Sequence, residues 1–401
     1  MDVVVTTESR FFRRADRRWI CQDGTFDYMF WRRYLDVFDR VIVVARGSDQ
    51  SRPGDALVEG DGVMLWPLSD SRGVWGAMKQ WTQWQRQMRP LVESSSAFVL
   101  RLPGQIGVAL GQMLRQGHRQ FGVEAVGEPA DVFCADGYRH PLRPALRYYF
   151  RRTMRQLCRE ATAASYVTSK YLQTQYPPNS RAFTTHYSSV ELPREALAGN
   201  SRDYRLRPSA LHLVNVATMS QRYKGQHHLI EAVSRCVRAG RAVHLALVGD
   251  GQYRTALEQQ VRRLKLTDQV RFVGRLPAGV AVWQALDQAD LFVLPSLQEG
   301  LPRALIEAQA RALPCLATSV GGVPELVAES ECLPPARPAE MAAALISLLD
   351  DPHRLTRLSY ENLQRARRYS ATILRQRRAS FYRQLRDAQE LADDRFLRRA
   401  A

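Results

Sequence analysis

A chain of 401 residues with 45% hydrophobic and 24% charged residues is too long for one small module and too apolar to stay disordered, so two domains of roughly 200 residues are expected. Lys and Arg number 57 against 40 Asp and Glu, a formal net charge of +17. That balance favours anionic partners without separating nucleic acid, anionic lipid and nucleotide phosphate.

No apolar run approaches the ~18 residues of a membrane span, and Met1 leads directly into Asp2-Val-Val-Val-Thr-Thr, a buried-strand pattern with no basic, apolar signal region. A cytoplasmic chain is expected. The cysteines are scattered without a C-x-x-C pair, which points to reduced thiols and away from a zinc site or disulfide framework.

In chain order, apolar runs predict strands at Val3 to Thr6, Val41 to Ala45, Val63 to Pro67, Ala97 to Leu102, Gly122 to Val126 and Ala163 to Thr168. Helical spacing lies between several of them, as in Ala77-Trp81-Trp84-Met88-Leu91. The second half repeats the alternation, with strands at Leu211 to Ala217, Val243 to Val248, Val270 to Val273, Leu291 to Pro295 and Cys315 to Thr318, and helices starting near Gly225, Gln252, Gly279 and Leu301. Strand-helix alternation implies α/β architecture with mostly parallel sheets, here two Rossmann-like domains. The boundaries read 1–190 for the first domain, 191–209 for a polar linker, 210–351 for the second, and 352–401 for a basic helical segment crossing both domains.

Ligands of such sheets bind beyond the carboxyl ends of the strands. After Leu291 to Pro295 comes Ser296-Leu-Gln-Glu299-Gly300-Leu301-Pro302-Arg303-Ala-Leu-Ile-Glu307. Gly300 permits close backbone approach, and Pro302 suits a first helical turn. Free N–H groups and the positive helix end favour a phosphate there, while the two carboxylates can accept hydrogen bonds from sugar hydroxyls.

Glu299 and Glu307, with seven residues between them, resemble the acidic pair of retaining family 4 glycosyltransferases, which have the GT-B fold. Five further segments share the likeness: Val214 to Gly225 with its Lys-Gly, Leu247-Val-Gly-Asp-Gly251, Phe272-Val-Gly274, Ala289-Asp-Leu-Phe-Val-Leu-Pro-Ser296, and Gly321-Gly322-Val-Pro-Glu325. The resemblance implies two domains facing each other across a cleft, with a C-terminal helix crossing back, and a nucleotide-sugar donor bound without metal or other cofactor. By the same likeness Glu299 holds donor-sugar hydroxyls, Glu307 the ribose and Lys224 the diphosphate. Thr218 stands where the family commonly has an arginine, and Arg222 is the candidate substitute. Gly300, Leu301 and Arg303 complete the phosphate cradle, with Gly249, Gly274 and Arg275 near the base.

The first half matches only in element order. Gly24, Glu128 and Asp131 are its candidates for the acceptor side, a glycan or lipid-linked saccharide of bacterial surface polysaccharide or glycolipid assembly. Capping or loop-surface roles explain Glu128 and Asp131 equally well. Trp75, Trp81 and Trp84 with Lys79, Arg86 and Arg89 form an amphipathic pattern that core packing explains first; peripheral contact with an anionic membrane is the alternative. The rival activities on the same fold are a nucleotide-sugar epimerase and a phosphorylase. A basic nucleic-acid-binding protein ranks behind them, since no recognised binding motif supports it, and no nucleic-acid partner is expected.

Overall fold

The computed structural model describes residues 1–400 apart from Asp23, Pro53, Asp55, 71–73, 130–141, Glu191 and 206–209; the side chains of 74–79 and 395–400 are likewise outside the description. Two compact units are present. The first comprises Met1–Ala130, Pro144–Tyr187 and Arg375–Ala401, and the second includes Ser188–Leu374.

The first unit holds β1 (Asp2–Arg13), β2 (Trp19–Ile20), β3 (Arg40–Ser51), β4 (Val63–Leu68), β5 (Ala97–Leu102), β6 (Gly122–Ala125), β7 (Ala163–Tyr166) and β8 (Phe183–His186). They form one sheet in the order β4-β3-β1-β5-β6-β7-β8, with β2 folded back antiparallel on β1 and every other pairing parallel. Val3, Val4 and Val5 are fully buried beside Val41, Val43 and Val44, as expected for a central strand covered on both faces. The sequence reading found these cores but not the far halves of β1 and β3. There Glu8, Ser9 and Arg10 carry no apolar run, and the pairing shifts register between Thr6 and Arg10.

The second unit is regular. Its strands β9 (Leu211–Val216), β10 (Val243–Val248), β11 (Val270–Gly274), β12 (Leu291–Leu294), β13 (Cys315–Thr318) and β14 (Cys332–Leu333) are all parallel, in the order β11-β10-β9-β12-β13-β14. Helices Gln226–Arg238 and Pro338–Leu349 contribute Leu229, Ile230, Val233, Met341 and Leu345 to a core against Leu213, Leu245, Leu247 and Val293. The polar stretch after Ser188 is fixed to this unit: the Arg202 guanidinium donates to the carbonyls of Leu286 and Arg311 at 3.2 and 3.1 Å, and Tyr204 donates to Asp290 O at 2.8 Å.

Along the helix Val74–Val92, Trp84, Met88 and Leu91 are buried, and Trp84 donates its indole N–H to Ser69 O at 3.0 Å. Trp75 and Lys79 lie outside the described side chains. No helix of the described residues is long and apolar enough to cross a membrane. The basic C-terminal stretch forms two helices, Pro352–Arg367 and Ala371–Ala400. They are separated at Ser370, whose backbone bridges to Leu192.

Candidate functional site

The second sheet reverses its strand order between β9 and β12: β10 and β11 extend to one side, β13 and β14 to the other. A crevice forms outside the carboxyl ends of strands at such a reversal. The segments following β9 and β12 are those carrying Lys224 and Glu299, so the topology brings together residues separated by 75 positions.

Their meeting depends on a close backbone approach. The 3-10 turn Arg222–Lys224 ends on Gly225, whose φ is 75°. A Cβ at Gly225 would lie 1.9 Å from the carbonyl oxygen of Pro295, so only glycine fits at the end of β12. Leu297 N–H donates to Tyr223 O at 2.7 Å and fastens the two loops. Lys224 Nζ then reaches Glu299 Oε1 at 2.8 Å, and Ser296 Oγ donates to that same oxygen at 2.7 Å. Glu299 is 9% exposed and Ser296 fully buried, so the two charge-assisted bonds compensate a carboxylate largely removed from water.

Behind the acid, Gly321 has φ 54° and a Cβ there would stand 1.6 Å from Glu299 O, while Gly322 N–H donates to Gly300 O at 2.8 Å. Gly249 is equally constrained: a Cβ would approach Ala217 O to 2.0 Å, and its N–H donates to Gly274 O at 2.8 Å. Gly274, with φ 85°, leaves a gap of 3.7 Å from a Cβ to the Arg254 guanidinium. Arg254 itself is held by Asp250 and Glu258 at 3.1 and 2.8 Å. Arg275 is exposed.

The helix following Glu299 spans Arg303–Ala310, with Pro302 as its N-cap at φ −72° and ψ 113°. It starts one residue later than a proline in the first turn would require; Pro302 sets the entry to the helix. The backbone N–H groups of Gly300, Leu301 and Arg303 donate to no described group, leaving donors of the kind helix starts offer to anions. The Arg222 and Arg303 side chains are exposed and have no hydrogen-bond or ion-pair partner among the described residues. Glu307 stands one turn beyond Arg303 and is half-buried. Burial raises its carboxyl above the ordinary 4.5, with Arg303 opposing the shift.

The structure thus joins Lys224 to Glu299 and Gly249 to Gly274, and it leaves Arg222 without a bond to either. Thr218 is exposed, its Oγ1 bonding Ser220 Oγ at 3.0 Å and Asp250 O at 3.3 Å and accepting from Ser220 N at 3.1 Å. Sequence reasoning did not single out Ser296, although it stands three residues before Glu299 in the turn after β12. In the first unit, Gly24 is exposed at φ 68° with nothing within 4 Å of a Cβ position. Glu128 is 5% exposed, accepts from Tyr176 Oη at 2.6 Å and pairs with Arg151 at 3.3 Å. Asp131 lies outside the described residues. A cavity of about 500 Å³ opens at the opposite, amino-terminal side of the second sheet and is lined by His212, His244, Asp268, Arg271 and Gln288. It contains none of the predicted site residues.

Residues 210–351 match the model of the family described as glycosyl transferases group 1. Protein CapJ of Staphylococcus aureus is 25% identical over 304 residues, 74% of each chain. The putative colanic acid biosynthesis glycosyltransferase WcaL of Salmonella typhimurium is 33% identical over 145 residues, 34% of this chain and 35% of its own. Among solved structures, Anabaena HepE in complex with UDP-glucose aligns at a TM-score of 0.64 and 16% identity, covering 97% of this chain and 99% of that one. At that identity the likeness concerns the fold alone, two parallel-sheet Rossmann-like domains of the GT-B type. The segment that matches the glycosyl transferases group 1 model is the one that carries Lys224, Glu299 and Glu307.

Proposed function

We propose that the chain is a retaining glycosyltransferase of family 4 type, moving a hexosyl group from a nucleotide-sugar donor to a glycan or lipid-linked acceptor in bacterial surface polysaccharide or glycolipid assembly. The observation that carries this reading is the Lys224–Glu299 pair at the strand-order reversal, beside backbone N–H groups with no acceptor among the described residues. One group suits a diphosphate and the other sugar hydroxyls. The family match over 210–351 supports the reaction class, the UDP-glucose bound by HepE supports the donor class, and the likeness to WcaL, a putative colanic acid biosynthesis glycosyltransferase, supports the polysaccharide setting.

In this reading the bond between the anomeric carbon and the diphosphate oxygen breaks, and the nucleoside diphosphate departs with the electron pair. The acceptor oxygen bonds to the same face of that carbon, and its proton passes to the departing diphosphate. Lys224, Arg222 and the N–H groups of Gly300, Leu301 and Arg303 stabilise the growing negative charge, each such donor contributing ~3 kcal/mol to the barrier reduction. Glu299 orients the sugar, Glu307 holds the ribose, and Gly249, Gly274 and Arg275 frame the base. Metal is not needed in this scheme, so turnover is expected to survive EDTA.

The test is nucleoside diphosphate release from a panel of UDP-, GDP-, ADP- and dTDP-sugars, with and without bacterial glycan or lipid-linked acceptors. Acceptor-dependent release with the anomeric configuration kept is expected. Donor conversion without acceptor would instead indicate an epimerase, and inversion would remove the family 4 assignment. A cytoplasmic setting with peripheral contact to anionic membrane belongs to the same proposal; failure to sediment with anionic vesicles at low salt would remove that part.

A further inference from the structure

Glu299 receives two donors on one oxygen and none on the other. Lys224 Nζ and Ser296 Oγ both bond Oε1, whereas Oε2 makes no hydrogen bond to any described group. An ionised carboxylate has about four lone-pair directions to fill, and the protein fills those of a single oxygen. The Ser296 hydroxyl has little freedom to do anything else. Its side chain is fully buried, and its own carbonyl accepts the Thr318 hydroxyl, which also bonds Leu294 O at 3.3 Å. The backbone carrying Ser296 is therefore clamped from β13 as well as from the Tyr223 carbonyl one residue on.

We infer that Ser296 is a positioning residue that fixes the rotation of the Glu299 carboxylate, so that Oε2 is presented to the hydroxyls of the donor sugar. This rests on the proposed nucleotide-sugar site and adds a division of labour to it. Lys224 has three N–H donors and can hold Glu299 Oε1 while meeting a diphosphate with another, so it couples recognition of the sugar to recognition of the phosphates. Ser296 donates once, to Glu299, and acts on the sugar alone. Without its hydroxyl the carboxylate is tied only to a flexible four-carbon lysine side chain, and its free oxygen no longer has a fixed direction.

The readout is the ratio between the affinity for a nucleotide sugar and that for its bare nucleoside diphosphate, measured by calorimetry with the donor found in the panel above. For S296A the nucleotide sugar is expected to bind about ten-fold more weakly, while the nucleoside diphosphate binds as to the wild-type chain. S296T keeps the hydroxyl and is expected to restore the ratio; K224A weakens both ligands. A purely structural role for Ser296 would shift both affinities or neither. An unchanged ratio in S296A overturns the inference, as does an equal loss in S296A and S296T. Should S296A prove unfolded, the S296C variant, nearly equal in volume and a poor donor, is measured in its place with the same expectation. If the wild-type chain binds neither nucleoside diphosphates nor their sugars, the donor-site reading itself falls, an outcome distinguished by being visible before any substitution is made.

Discussion

The chemistry proposed for the second unit rests on Lys224 and Glu299, joined at 2.8 Å and largely shielded from water. Replacing Glu299 by Gln removes the charge but keeps the shape, and replacing Lys224 by Ala removes the cation nearest the proposed diphosphate. Each is expected to lower turnover by roughly 10²-fold or more with little change in folding, because the lost interaction is strongest in the transition state. Near-normal rates for both variants in the acceptor-dependent assay would remove them from the site. Glu307 gives a pH signature. Its carboxyl is raised above 4.5 by burial, so the ionised form proposed to accept ribose hydroxyls is lost on acidification earlier than for an ordinary exposed carboxylate. Nucleotide affinity is expected to fall with a midpoint above pH 4.5, and in E307Q this titration should vanish. The stability effect has the opposite sense: a raised acid favours the folded state below its pKa and loses that contribution as pH rises through it. Calorimetric titration across pH 4 to 8 checks the first point, and thermal midpoints over the same range check the second.

Loops become a site only where elements allow their backbones to touch. Gly225 and Gly321 each occupy left-handed backbone against a carbonyl, with Cβ positions 1.9 and 1.6 Å from the oxygens of Pro295 and Glu299. Relief of such overlap requires moving the end of β12, since the obstacle is main chain and not a flexible side chain. G225A and G321A are each expected to destabilise the second unit by at least ~2 kcal/mol and to weaken nucleotide binding beyond the loss of fold. Urea unfolding and nucleotide calorimetry on the folded fraction separate the two effects. The position of both turns was legible as sequence, because Lys-Gly after one strand and Glu-Gly after another mark strand-to-helix turns. The physical cause of the first glycine was not, since the obstructing carbonyl at Pro295 is 70 residues away in the chain and adjacent only after β9 and β12 pair. Ser296 was missed for a related reason: a serine after a strand is commonplace, and only the turn geometry aims its hydroxyl at Glu299.

At the scale of the whole molecule, the first unit is held by a buried charge that the apolar pattern did not reveal. Glu124 on β6 is 2% exposed and accepts from Tyr34 Oη at 3.0 Å, Tyr187 Oη at 2.7 Å and Arg101 at 2.6 Å. Tyr382, from the C-terminal helix, stacks on Tyr34 at 4.6 Å and reaches the same carboxylate at 3.4 Å. Burial alone would raise this carboxyl, but Arg101 and Arg33 draw it below the usual range, so its contribution is complete above the ordinary carboxylate value and declines as pH falls through the depressed one. E124A leaves two arginines without their counter-charge and is expected to cost about 3–5 kcal/mol. E124Q should cost less, and equal stability of E124A and wild type in urea would contradict the assignment. The sequence by itself determined the alternation of strands and helices, the parallel sheets and the acidic motif, because these follow from local periodicity and from residues near one another in the chain. Tertiary structure alone decided which carboxylate oxygen is occupied, which glycines are compelled, and where Glu124 finds its partners. Those outcomes depend on groups far apart in sequence meeting within hydrogen-bonding distance, and no local pattern encodes such a distance.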